Sequence, residues 1–167
     1  MAGPDDGVPF GLEFGPAREG DLDTLVSIDR DSPRAWTREA FAAEFGHAPP
    51  TLFVLRTTGA TVAFVVTRIQ VPDMDIVNLA VRPDRRGLGL GRRLLSSLLD
   101  QAASTGVQSV FLEVREGNQE ARRLYAGAGF REVQRRRGFY AEPVEDAILM
   151  RLEMSHEAGL KGPRNAC

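Results

Sequence analysis

Apolar residues along this chain recur with two different periods, and the switching between them lays out a mixed architecture. Leu12–Phe14 reads as a short first strand, and Leu22, Leu25, Val26 and Asp29 then share one helical face within Arg18–Arg30. A second helix is expected after Thr37, a suitable N-cap, with Trp36 and Phe41 at the two positions of a hydrophobic staple. Pro49-Pro50 ends that region. Leu52–Arg56 and Val62–Ile69 flank a TTGA turn and predict a β-hairpin, and Asp75–Val81 predicts another strand. Leu90, Leu94, Leu95, Leu98, Leu99 and Ala102 then line a helix that Gly106 closes.

Val110–Val114 is an almost wholly apolar strand. It precedes a helix from about Asn118 to Ala126, with Ala121, Leu124 and Tyr125 on its apolar side, and GAGF (127–130) stops that helix. REVQRRRGFY (131–140) and Asp146–Met154 read as two last strands. The predicted order is β α α β β β α β α β β, an α/β protein with helices packed on a mixed sheet. The folded unit is expected over residues 11–154, with loose ends at 1–10 and 155–167.

Composition changes this picture little. The chain has 167 residues, 43% hydrophobic and 26% charged, as ordinary soluble domains have. A formal net charge of −2 gives no reason to expect a nucleic-acid or membrane partner. The one cysteine is Cys167, so no disulfide framework and no internal thiol nucleophile are expected, which suits the cytoplasm. The two histidines, His47 and His156, have no metal-ligating neighbours at useful spacing, and no metal is expected.

Chemistry enters at RGLGLGRRLL (86–95), a glycine-rich turn between a strand and a helix. A nucleotide-triphosphate loop would end Gly-Lys-Ser/Thr, and here the residues are Gly-Arg-Arg. A dinucleotide fingerprint needs GxGxxG, and its third glycine would fall on Arg92. What remains is a backbone able to approach an anion closely, a helix N-terminus aimed at it, and the guanidinium of Arg86. A phosphate cradle and a plain strand-to-helix turn both fit those features.

The second constellation is FLEVREGNQEARRLYAGAGF (111–130). Glu113 sits among apolar strand residues, surroundings that disfavour its charged form and favour a base. The alternative is a glutamate ion-paired with Arg115 or with an arginine of a neighbouring strand. Tyr125, with an ordinary phenol pKa of about 10, suits protonation of a departing thiolate, or else packs in the core. Asn118 reads as the N-cap of the helix and can still turn its amide toward a ligand. Arg135-Arg136-Arg137 reads as solvated strand residues, with contact to RNA or cofactor phosphates as the minority reading.

NLAVRPDRRGLGLGRRLL (78–95) resembles the coenzyme A loop of the GNAT N-acetyltransferases, with Arg86, Gly89 and Gly91 on the matching positions. LEVR-x-x-N-x-x-A-x-x-LY-x-x-x-GF and RRGFYAEPVEDAILM (136–150) resemble the RimI-type group, which acetylates ribosomal-protein N-terminal alanine. Phe139 stands where that pattern has a tyrosine, and Tyr140 keeps the next one. The likeness runs over about residues 14–154, strong from Val77 onward and weak before Phe53.

The resemblance implies a GNAT fold, with about six to seven strands and helices on both faces. It implies acetyl-CoA as cosubstrate, held by Leu79, Ala80, Val81, Arg86, Gly87, Leu88, Gly89, Leu90, Gly91 and Asn118. It further implies direct transfer in a ternary complex, with Glu113 as base through a water and Tyr125 as acid. The implied acceptor is the N-terminal α-amine of a ribosomal protein, met by a monomer. Asp73, Asp75, Glu142, Glu145 and Asp146 are candidates to receive a basic peptide, or else form a solvated acidic surface. A small amine or a lysine as acceptor, a non-catalytic acyl-CoA-binding domain and a nucleic-acid-binding domain stand as alternatives.

Overall fold

The computed structural model describes residues 11–155; the ends expected to be loose, with His156 and Cys167, fall almost wholly outside the described residues. The elements run β1 (Leu12–Pro16), α1 (Leu22–Asp29), α2 (Arg38–Ala42), β2 (Leu52–Thr57), β3 (Ala60–Gln70), β4 (Asp73–Val81), α3 (Leu90–Ala103), β5 (Ser109–Arg115), α4 (Gln119–Gly127), β6 (Arg131–Ala141) and β7 (Val144–Glu153). This is the order that the periodicity predicts.

The local signals act as expected. Thr37 caps α2 by accepting from the Ala40 N–H at 3.2 Å, and the Trp36 and Phe41 rings of the staple lie 5.4 Å apart. Asn118 caps α4 by accepting from the Ala121 N–H at 3.1 Å.

All seven strands join one sheet in the order β1-β2-β3-β4-β5-β7-β6. Every neighbouring pair is antiparallel except β4 and β5, which run parallel. Two apolar layers cover it. Leu25 and Ile28 of α1 and Phe41 of α2 pack on Leu52, Val54, Phe64 and Val66 of one face. Leu90, Leu94, Leu95 and Leu98 of α3 and Tyr125 of α4 pack on Phe53, Val65, Met74, Ile76, Val110, Leu112 and Ile148 of the other. Strand alternation sends neighbouring residues into these two layers in turn.

The sheet opens in the middle. β4 and β5 pair only over Asp73–Ile76 and Ser109–Leu112. Beyond that the strands part, while Asn78–Val81 stay paired with β3 on their other side. A bulge on β4 falls at the parting point, where Thr67 faces Ile76 and Val66 faces Asn78, leaving Val77 as the extra residue. The edge of β4 that faces β5 is therefore unpaired beyond Ile76, and alternation turns the amide groups of Leu79 and Val81 into the gap while those of Asn78 and Ala80 face β3.

Candidate active site

The gap has two ends, and each collects one of the constellations read from the sequence. At the α3 end, Gly87 and Gly89 have φ of +75° and +74°, which side-chain-bearing residues adopt only at a cost. No atom lies within 4 Å of where a Cβ would stand on either. The N–H groups of Gly87, Leu88 and Gly89 make no backbone hydrogen bond among the described residues. Gly89 caps α3, whose 14 residues add the positive end of their dipole. Arg86 stands beside this turn, its Nε donating to the Val81 carbonyl at 3.2 Å.

Open space, unspent N–H donors and a guanidinium fit an oligophosphate, and the unpaired β4 edge continues from them like a rail for an amide-bearing arm. Leu90 offers only its backbone, because its side chain is buried in the core. Leu79 and Val81 likewise pack against the core, so their amides are what the gap sees.

At the other end a cavity of about 470 Å³ opens on the α1–α2 face of the sheet. Arg34, Asp75, Glu113 and Tyr140 surround a floor that includes Ile76 and Leu112. The apolar neighbours of Glu113 turn away from it: Leu112 and Val114 enter the α3–α4 core, and alternation leaves Glu113 on the opposite face. The expectation of an apolar shell is therefore corrected. The Glu113 carboxylate is ion-paired with Arg136 of β6, an ion pair as the alternative expected, but with an arginine two strands away rather than Arg115 or one on an adjacent strand.

Tyr125 comes from the other face. It is buried in the α3–α4 core against Phe130, with ring centroids 5.8 Å apart. Burial pushes its phenol up to about 12, and Tyr140 adds to the shift. Tyr140 is itself raised, by burial first and then by the charge of Glu113. Glu113 and Tyr140 line the cavity, and Tyr125 is not among its lining residues. Arg115 lies 4.1 Å from the Tyr140 ring and Arg34 5.6 Å, both over its centroid.

Two arginines of the 135–137 run are not simply solvated. Arg135 pairs with Glu116 and reaches Asp146 at 3.7 Å, and Arg136 pairs with Glu113. Two of the candidate acids are engaged within the chain. Glu145 accepts from Arg115 at 3.1 Å and from the Gly117 N–H at 2.6 Å, and these bonds hold its carboxyl below the usual range. Asp146 accepts the Gly138 N–H at 2.8 Å. Asp75 lines the cavity instead, its carboxyl raised by burial and by the charges of Asp73 and Glu113.

Arg34 and the Arg136–Glu113 pair were not assigned to the site from sequence. A register with a bulge inside it brings Arg136 across, and no local spacing reveals that. The described residues contain no cluster of three or more metal-ligating side chains.

Known proteins match this chain in sequence and fold. The model of the acetyltransferase (GNAT) family matches residues 22–130. The ribosomal protein bS18-alanine N-acetyltransferase of Escherichia coli (strain K12) is 38% identical over 122 residues, 72% of this chain and 82% of that protein. Its namesake in Salmonella typhimurium is 36% identical over 137 residues, 75% of this chain and 93% of that one. The crystal structure of the Escherichia coli ribosomal-protein-S18-alanine N-acetyltransferase superposes with a TM-score of 0.79 at 32% identity, over 89% of this chain and 97% of that one. Ard1 of Thermoplasma volcanium shares the fold at a TM-score of 0.80 and 23% identity. This chain is an acetyltransferase and belongs to the GNAT family.

Proposed function

We propose that this enzyme acetylates the N-terminal α-amine of a protein, an alanine at the start of a small-subunit ribosomal protein, by direct transfer in a ternary complex. The observation that carries this reading is the parted β4–β5 pair, with a phosphate cradle at one end and a cavity holding Glu113 at the other. The relatives named for bS18-alanine acetylation support the acceptor.

Acetyl-CoA, when bound, supplies the acetyl thioester. Arg86 and the amides of Gly87, Leu88, Gly89, Leu90 and Gly91 would hold its phosphates. The backbone of Leu79 and Val81, on either side of Ala80, would hold its arm and polarise the carbonyl, and Asn118 would contact it from the α4 cap. Glu113 takes the proton of the acceptor ammonium through a water, freeing the nitrogen that forms the new amide bond. Tyr125 gives its proton to the sulfur as the carbon–sulfur bond breaks. A phenol near 12 keeps that proton throughout the working range. Donation to a free thiolate of pKa about 8.5 would be uphill. A thiolate held in equally apolar surroundings would be raised as well, which would narrow the difference.

The acid–base chemistry suits an α-amine. At pH 7 roughly 10–15% of an α-amino group of pKa about 7.7–8.0 is neutral, against about 0.04% of a lysine. In this reading the working unit is a cytoplasmic monomer without RNA contact, two of the four arginines of β6 being met by the chain's own carboxylates. None of the described helices is long and apolar enough to cross a membrane.

The test is acetyl transfer to two matched peptides, one with a free N-terminal Ala-Arg and one blocked there with an internal lysine. Turnover of the first alone is expected, falling about 100-fold or more in Glu113→Gln and in Tyr125→Phe. Equal turnover of both peptides, or full activity in the two variants, would refute the reading.

A further inference from the structure

We infer that Arg136 is the positioning residue for Glu113: it holds one carboxylate oxygen across β7 so that the other faces the acceptor. The inference rests on the function proposed above, with Glu113 as base.

The sheet register builds this contact. Glu113 of β5 faces Leu149 of β7, and Arg136 of β6 faces Ala147 of the same strand. Residues two apart on a strand share a face, so Arg136 must span β7 near Ala147 to reach Glu113. A fully buried alanine at that crossing leaves room for the arginine stem. Beyond Arg136 the register slips, and the next pair is Tyr140 with Glu145, four residues along β6 against two along β7. Gly138, at φ +58°, fixes this bulge by donating its N–H to Asp146. The bulge brings the Phe139 ring back onto the guanidinium, 4.7 Å from its centroid.

The guanidinium is therefore held on two sides, by an aromatic face and by a carboxylate. Its Nη1 donates to Glu113 Oε1, and Oε2 receives no hydrogen bond among the described residues. Arg135 is spent on Glu116 and Asp146, so Arg136 is the cation that serves Glu113 there. The division suits the chemistry. One oxygen is pinned, which fixes the rotamer, and the free one is left to take a proton through water. The other charged or titratable groups facing Glu113 from neighbouring elements are Asp75 of β4 and Tyr140 of β6, with Arg34 on the cavity rim. None of these is hydrogen-bonded to it.

The experiment measures kcat and KM on the free Ala-Arg peptide for wild type, Arg136→Gln, Arg136→Lys, Glu113→Gln and the double variant with both glutamines. Arg136→Gln is expected to lower kcat about tenfold or more, with KM for acetyl-CoA within twofold of wild type. Arg136→Lys should recover most of the loss. The double variant should be no slower than Glu113→Gln alone, because Arg136 acts only through that carboxylate. Full kcat in Arg136→Gln, or losses that multiply in the double variant, overturns the inference.

A crystal structure of Arg136→Gln supplies a readout free of activity. Glu113 should spread over more than one rotamer, and a single rotamer as in wild type overturns the inference too. Ala147→Leu, which fills the crossing and leaves both partners in place, should reproduce the kinetic loss; wild-type kcat in that variant would show that the register argument fails. If the wild type acetylates neither peptide, the proposed acceptor falls, and the rotamer measurement still decides the role of Arg136.

Discussion

The two halves of the sheet on either side of the gap are built to different rules. β2 and β3 lie between the two apolar layers, and all six residues of β2 are buried. Beyond the gap, β6 buries only Tyr140 among its 11 residues. The first half buries apolar surface on both faces; the second buries one face of β5 and β7 against α3 and α4 and carries a network of arginines and carboxylates on the face that no helix covers. The proposed cofactor cradle hangs from the first half, and the cavity proposed for acid–base work is finished by the second. In that reading burial supplies rigidity where the backbone must be held open, and surface ion pairs position side chains where a substrate would be met.

Matched truncations in the two halves sharpen that contrast. Phe64 is fully buried, with its ring edge-on to Phe41 at 5.2 Å. Phe64→Ala should cost about 3–5 kcal/mol of unfolding free energy, from lost burial and a cavity that cannot collapse. Val133 on β6 is 53% exposed, and Val133→Ser should stay within about 0.5 kcal/mol. Urea denaturation reads both. A cost of several kcal/mol at Val133 would mean that the second half is packed like the first, and the distinction would collapse.

A smaller effect separates the glycines of the cradle. Gly89 sits at φ +74° in open space, so Gly89→Ala meets no clash but carries about 1–2 kcal/mol of backbone strain. Gly91 has no positive φ, and an added Cβ would lie 3.4 Å from Leu124 Cδ2 and 3.6 Å from Val81 Cγ2, ordinary contact. Gly91→Ala should therefore leave the thermal midpoint near wild type while Gly89→Ala lowers it. Titration calorimetry with acetyl-CoA should show the weaker binding in Gly89→Ala, whose strain is relieved only by moving the N–H groups of the turn. Equal binding by both variants would remove the left-handed turn from the account of the cradle.

Much of this was legible in the residues, and the boundary of legibility has a physical cause. Helix faces and caps are local: the Leu90–Ala102 stripe, Thr37 and Asn118 each act within a few residues of their partners. The fingerprint around Arg86, Gly89 and Gly91 is local too, which is why the strand-to-helix turn could be read. The surroundings of Glu113 are not local. Its apolar neighbours in sequence point to the other face, and its cation arrives from a strand 23 positions away through a bulge that shifts the register. Tyr125 is a second instance. Its helical face was readable, but the depth of burial that moves its phenol depends on α3, α4 and the sheet closing together.

The smallest effect tests the joint between the helical cover of the first half and the opened strand. Asp29, at the end of α1, is 1% exposed and accepts through Oδ2 from the Trp36 N–H at 2.7 Å and from Asn78 Nδ2 at 3.2 Å. Its Oδ1 is buried without a partner. Burial raises the carboxyl above its ordinary 3.8, against the lowering effect of those two bonds. A folded-state pKa above the unfolded one means that the protonated form is favoured by folding. The corresponding stability is fully present below pH 3.8 and is lost as pH rises through the raised value. Asp29→Asn keeps an oxygen for the two donors and has no proton to lose. Relative to wild type, the variant should therefore gain stability as pH rises from 4 to 7. Urea unfolding at the two pH values measures the difference directly. A gap between the two proteins that does not change with pH would mean that Asp29 is ionised at no cost, and that the α1–β4 joint is wetter than its burial indicates.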